Sequence, residues 1–172
     1  MPARPPLAAA LLALALLTFL AGTAPAADNL APQNDPGGFM DLAWDTPLAR
    51  VPGLWLAGRD RDLGGLDIYR REKAPETFGQ ARLQSVHYLF WRGRLLAVDA
   101  QTQGQADFEA LRQACQERFG PGTRPNRYQE NYYWLGPNSQ ISLRYHDVSQ
   151  TSHLRLASRA ILAEAQRATA SQ

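Results

Sequence analysis

The chain has 172 residues, with 18 Lys and Arg against 16 Asp and Glu, a net charge of +2 and a single cysteine. So small an imbalance of charge removes any electrostatic argument for nucleic acid or an anionic membrane as partner. One cysteine cannot close an internal disulfide, so the fold has to rest on its apolar core.

The first 26 residues read as a secretory leader. "MPARPP" carries Arg4, "LAAALLALALLTFLAG" is an unbroken apolar run, and "TAPAAD" places Ala24 and Ala26 where a signal peptidase needs small residues. The run is short for a membrane span, and the cleavage motif follows at once. No Cys sits near that motif to carry a lipid. Cleavage after Ala26 predicts a periplasmic or secreted chain with no transmembrane span, and one domain burying roughly two-thirds of its unfolded surface.

Residues 27–38, "ADNLAPQNDPGG", read as a flexible leader, and the domain is expected over 39–168 with a frayed tail at 169–172. In "FMDLAWDTPLARVPGLW", Thr46 is positioned to cap a short helix that starts at Pro47, turns Leu48 and Val51 inward and stops at Pro52-Gly53. Trp44 and Trp55 flank it as core plugs, and Arg59, Asp60, Arg61 and Asp62 suggest a solvated turn. Leu66, Ile68 and Arg70 alternate with Asp67 and Tyr69 as in a half-buried strand, and Pro75 and Gly79 bound a loop.

Val86, Tyr88 and Phe90 alternate with His87, Leu89 and Trp91, and "RLLAVDAQ" returns after Arg92-Gly93, which is a hairpin with a glycine able to take positive φ. Asp107 to Phe119 is a helix whose Phe108, Leu111, Cys115 and Phe119 make one apolar stripe, closed by Gly120-Pro121. "RYQENYYWL", "QISLRYH" and "HLRLAS" read as three strands, and "RAILAEAQRA" as a C-terminal helix. The order predicts an α+β two-layer domain, a mostly antiparallel sheet with helices on one face and a faint twofold repeat of helix plus three strands.

Chemical signatures are sparse. There is no G-x-S-x-G elbow, P-loop or G-x-G-x-x-G, and Cys115 sits on an apolar stripe, where a thiol is ordinarily an inert hydrophobe. The sixteen acids offer no selected pair for glycosidase chemistry. Nothing in the pattern calls for a cofactor. Two readings stay open. In the first, Tyr88, Trp91, Tyr132, Tyr133, Trp134 and Tyr145, with Arg92, Arg94 and Arg144, form an aromatic and cationic sheet face that binds a protein or another envelope component. In the second, a hairpin centred between Ser149 and Gln150 brings His146 opposite His153, and with Asp147 or His87 they serve a small exported enzyme or a metal-binding protein.

The elements "FMDLAWDTPLARVPGL", "DIYRRE", "VHYLFWRGRLLAV", "DFEALRQACQERFG", "YYWLG", "ISLRY" and "LRLAS" resemble a family of small exported bacterial proteins of uncharacterised function. That family carries an aromatic residue and W-G-T near the domain start, a Y-x-F-x-x-G-R-L hairpin, a helix ending in Y-G and a Y-x-W-x-G strand. The chain departs from it at Asp45, where the family has Gly, and at Phe119, where it has Tyr. The order of elements is also similar to that of the β-lactamase-inhibitor protein and the small outer-membrane assembly lipoproteins, which bind other proteins through an exposed sheet. This resemblance implies a protein-binding sheet here, although the chain lacks the lipid-bearing Cys of those lipoproteins.

The leader generates a direct expectation. N-terminal sequencing of the chain recovered from the cell envelope or medium should begin at Ala27, and a chain that retains Met1 or Pro2 would overturn the export reading.

Overall fold

The computed structural model describes residues 32, 34–61 and 65–170. The segment read as a secretory leader and Asp62 of the charged turn lie outside them. The chain opens with a two-residue ladder, β1 (Gly38–Phe39) with β2 (Leu42–Ala43), and a single 3₁₀ turn at Leu48–Arg50. Then come β3 (Leu54–Asp60), β4 (Leu66–Arg71), the small pair β5 (Thr77–Phe78) and β6 (Ala81–Arg82), β7 (Ser85–Trp91) and β8 (Arg94–Gln103). Helix α1 (Gln105–Phe119) leads to β9 (Asn131–Leu135), β10 (Ser139–His146), β11 (Thr151–Ser158) and α2 (Arg159–Ala170).

Seven of these strands form one fully antiparallel sheet in the order β3-β4-β7-β8-β11-β10-β9, so the domain is of the α+β class with α1 as its second layer. Two meanders meet at β8 and β11. Helix α1 carries the chain from the middle of the sheet to its far edge, and the second meander walks back.

Strand alternation sorts the side chains. Val86, Tyr88, Phe90, Val98, Ala100, Leu154, Leu156, Ile141, Leu143, Tyr132 and Trp134 all turn to one face, where the stripe Phe108, Leu111, Cys115 and Phe119 lies on them. The stripe is the one read from the helical spacing. Cys115 is fully buried, and burial pushes its thiol up to about 12. The β5–β6 pair plugs one end of this core. Phe78 stacks on Phe39 at 6.2 Å and meets the Phe119 ring, while the Arg82 amide donates to Asp107 Oδ1 at 2.9 Å.

Helix α2 packs on the other face. Ile161 and Ala165 cover Leu89, Trp91, Ala97 and Ala157, so the expected single helical layer holds for α1 alone. The reason is local. Strand β11 ends at Ser158, the helix starts at the next residue, and the apolar end of the second face lies directly beneath it.

Several local expectations change. The first meander has four strands, because "LWLAGRD" is strand β3, with a bulge between Leu56 and Gly58; of the four charges expected in a turn, Arg59 and Asp60 are its last two residues. Trp55 is about half exposed on this edge strand and plugs no core, whereas Trp44 is half-buried and its indole donates to Ser139 Oγ at 2.9 Å. Thr46 does not cap a helix. Its hydroxyl donates back to the Ala43 carbonyl at 2.8 Å, and only a 3₁₀ turn follows. Residues 34–38 are tied to the domain: Asn34 donates to the Arg118 carbonyl, Asp35 accepts from the Asn138 amide, and the Pro36 carbonyl accepts from Trp44 and Ser139. The 92–93 turn is as expected, with Arg92 at φ 50° and Gly93 at 73°.

Two substitutions test this packing by urea denaturation. Leu111→Ala empties a fully buried site on the α1 stripe and should cost about 2–5 kcal/mol. Gly79 has φ +62°, and a Cβ there would stand 2.5 Å from Ala114 Cβ, so Gly79→Ala should cost about 1 kcal/mol or more. The Cys115 thiol should be alkylated only once the chain unfolds.

Candidate functional site

Helix α2 covers only the apolar end of the second face, made by Leu66, Leu89, Trp91, Ala97 and Ala157 on β4, β7, β8 and β11. The remainder carries a row of directly opposed or bonded side chains that crosses every strand of the main sheet: Trp55, Arg70, His87, Asp99, Arg155, Ser142 and Tyr133. Beside it runs a second row, Ser85, Gln101, His153, Arg144 and Asn131. None of these side chains is in the buried class. They occupy alternate positions of strands whose other side chains fill the core, so this face is polar because the opposite face takes the apolar residues.

The rows are held by specific contacts. Arg155 pairs with Asp99 through two parallel hydrogen bonds of 2.6 Å, from Nε to Oδ1 and from Nη2 to Oδ2. Arg70 Nε donates to His87 Nε2 at 3.1 Å, and its guanidinium lies 5.8 Å from the Trp55 ring centre. The Arg144 guanidinium lies 6.0 Å from the Tyr133 ring centre, and Arg144 makes no ion pair among the described residues.

At one corner these residues form a cleft of about 290 Å³ lined by Asp99, Ser142, Arg144, His146, His153 and Arg155. The β10–β11 register pairs His146 with Thr151 and His153 with Arg144, two residues away from the register that opposes the two histidines. They are therefore diagonal neighbours on one face, with ring centres 5.6 Å apart and planes nearly perpendicular. A third metal ligand does not join them. Asp99 is engaged by Arg155, Asp147 lines a cavity on the α1 side, and His87 bonds Arg70. No three His, Cys, Asp or Glu side chains are arranged to hold a metal ion among the described residues.

The surroundings of His153 and His87 disfavour their protonated forms. Burial holds the His153 pKa below the ordinary histidine value, helped by His146, Arg144 and Arg155 and opposed by Asp99. Burial and then Arg70 do the same to His87, again against Asp99. The Arg155 guanidinium is held more firmly charged by its bond to Asp99, and Asp60 adds to this.

The residues expected to form one aromatic and cationic face are divided by the strand pleat. Tyr88, Tyr132 and Trp134 are buried on the α1 side, where Tyr145 stacks on Phe108 with ring centres 4.5 Å apart. Trp91 is buried in the α2 cluster between the guanidinium groups of Arg92 and Arg94, at 4.5 and 5.5 Å. Arg94 is itself paired with Asp45 at 3.2 Å and with Glu164. Of the nine, Tyr133 and Arg144 meet on the open face. Trp55, Arg70, Asp99, Ser142 and Arg155 were not singled out, although a signal existed. Polar residues recur at every second position of "SVH", "DAQ", "SLRYH" and "HLR".

A second cavity, about 400 Å³, lies between α1 and the β9–β10 edge, lined by Arg112, Arg124, Glu130, Tyr132, Tyr145 and Asp147 among others. Arg124 and Glu130 are paired with each other there, whereas the buried Arg112 Nε has no hydrogen-bond partner among the described residues. Glu130 accepts from Arg124 at 2.5 Å and from the Tyr132 hydroxyl at 2.6 Å.

The histidine environment is measurable. Asp99→Asn removes the group that favours the charged imidazole and should lower the His153 pKa further, whereas Arg144→Gln should raise it, both read by NMR titration. A histidine held below its unfolded value binds protons more weakly in the native state. Stability should therefore fall as pH drops from the ordinary histidine pKa toward the depressed one, and His153→Gln should flatten that slope.

No family model, no curated protein and no solved structure matches the chain.

Proposed function

We propose that the chain is an exported, non-enzymatic binding domain that engages a protein or another envelope component through the open face of its sheet. The observation that carries this reading is the row from Trp55 to Tyr133, which crosses all seven strands without a covering element among the described residues. Arginines at Arg70, Arg144 and Arg155, with an aromatic ring at each end, supply the residue types that dominate recognition surfaces. The sheet beneath them is rigid, with an interlocked core on its far side, so little ordering is needed on binding. The leader sequence supports placing this activity in the periplasm or outside the cell.

The test is a comparative capture from the envelope extract of the source cell. The wild-type chain, Arg144→Glu and a control on the outer surface of α1, Gln113→Glu, are immobilised at equal density. The reading expects one stoichiometric component retained by wild type and control, and reduced about tenfold or more by Arg144→Glu. Equal retention by all three would place binding elsewhere.

A further inference from the structure

We propose that the corner cleft formed by Arg144, His146, His153 and Arg155 binds an oxyanion, a carboxylate or phosphate group carried on an apolar or aromatic body. The inference rests on the reading of this face as the binding face, and it names the chemistry that the face selects.

Charge argues for an anion. Arg144 is exposed and makes no ion pair among the described residues, and Arg155 is held in place by Asp99 through Nε and Nη2, a pairing in which Nη1 takes no part. The single carboxylate lining the cleft is therefore already bonded, and a cation would face two guanidinium groups. Ser142, directly opposite Arg155, adds a hydroxyl that can donate to an oxyanion.

The imidazoles fit the same ligand. Two rings with centres 5.6 Å apart repel one another when both are protonated, and an anion in the cleft removes that penalty. The groups facing them are Arg144 on β10, Arg155 on β11, Asp99 on β8, His87 on β7, Arg70 on β4 and Tyr133 on β9, with Asp60 acting on Arg155. Among these the cations outnumber the carboxylates. A bound anion raises the depressed His153 pKa, so binding takes up protons and tightens as pH falls through the histidine range.

The body of the ligand is set by what adjoins the cleft. A groove of about 550 Å³ shares Ser142, Arg144 and Arg155 with it and continues past Tyr133, Leu135 and Pro125. Most of its lining is apolar, which suits an aliphatic chain or a ring and gives nothing to a bare inorganic ion.

The test uses the chain as recovered from the cell, with benzoate, phenyl phosphate and acetate as probes and the imidazole NMR signals as readout. A carboxylate does not titrate between about pH 6 and about pH 8, so any pH dependence with benzoate belongs to the protein. Benzoate should perturb His146 and His153, bind several-fold more tightly at the lower pH, and exceed acetate because the groove holds its ring. Arg144→Gln should weaken it about tenfold, and Arg92→Gln, at the distant hairpin, should not. The tighter of benzoate and phenyl phosphate tells a carboxylate ligand from a phosphate ligand.

The inference is overturned if no probe moves the imidazoles, if sodium chloride has the same effect, or if affinity ignores pH. It is equally overturned if zinc ion perturbs both histidines while the anions do not. Capture that depends on Arg144 in a chain indifferent to all three anions overturns this inference and leaves the binding-domain reading standing.

Discussion

The pairing of β8 with β11 is the constraint on which the rest of the structure depends. It joins a four-strand meander to a three-strand one through seven paired positions, from Ala97 with Ala157 to Gln103 with Thr151. On the core side the seam brings Val98 to Leu156 and Ala100 to Leu154, and it buries the hydroxyls of Thr102 and Ser152 against each other. On the other side the same register sets Asp99 against Arg155 and Gln101 against His153. A slip of β11 by one residue would turn its side chains over, placing His153 and Arg155 in the core and Leu154 and Leu156 in solvent. The two buried hydroxyls oppose that slip, because each would lose its partner inside an apolar layer.

Once the register is set, the helices decide which part of the sheet remains open. Helix α1 closes one face with an apolar stripe. Helix α2 is only 12 residues long and starts where β11 stops, so it reaches over the apolar end at Leu89, Trp91 and Ala97 and no further. The open remainder is where the sequence places arginine, histidine and aspartate. A face of this kind would repel itself if its cations were unbalanced, and Asp99 sits in the middle of the row where it meets this most directly. It bonds Arg155 and draws the His87 and His153 pKa values upward against the effect of burial.

Local pattern carried much of the fold. The α1 stripe, the Arg92-Gly93 hairpin, the three strands after Pro121 and the final helix were all legible because each has a period, a turn residue or a stop signal of its own. What was not legible depends on distant contacts. Strand β3 contains Gly58 and a pair of charges, and it becomes a strand because β4 pairs with it around a bulge. The placement of α2 depends on which end of the second face is apolar, a property of four strands together. The 3₁₀ turn at Leu48–Arg50 replaces a capped helix because the hairpin glycine holds the segment: the Leu48 amide donates to the Gly93 carbonyl, and Leu95 donates to the Thr46 carbonyl.

The site shows the same division from the other side. Aromatic residues attract attention in a sequence, yet in a thin domain they are the natural filling for both layers, and Tyr88, Trp91, Tyr132 and Trp134 are used that way. The open face is built instead from residues that look ordinary one at a time, such as Asp99 and Gln101 on β8, Ser142 and Arg144 on β10, and His153 and Arg155 on β11. Their meaning appears only when six registers are combined, because strand pairing converts a spacing of two along each chain segment into adjacency across the sheet. His146 and His153 illustrate the point. The hairpin turn at 147–150 places them as diagonal neighbours, and the direct opposition read from local symmetry does not occur. That offset sets Arg144 directly opposite His153 and His146 opposite Thr151, so a guanidinium, and not the second imidazole, is the cross-strand partner of His153.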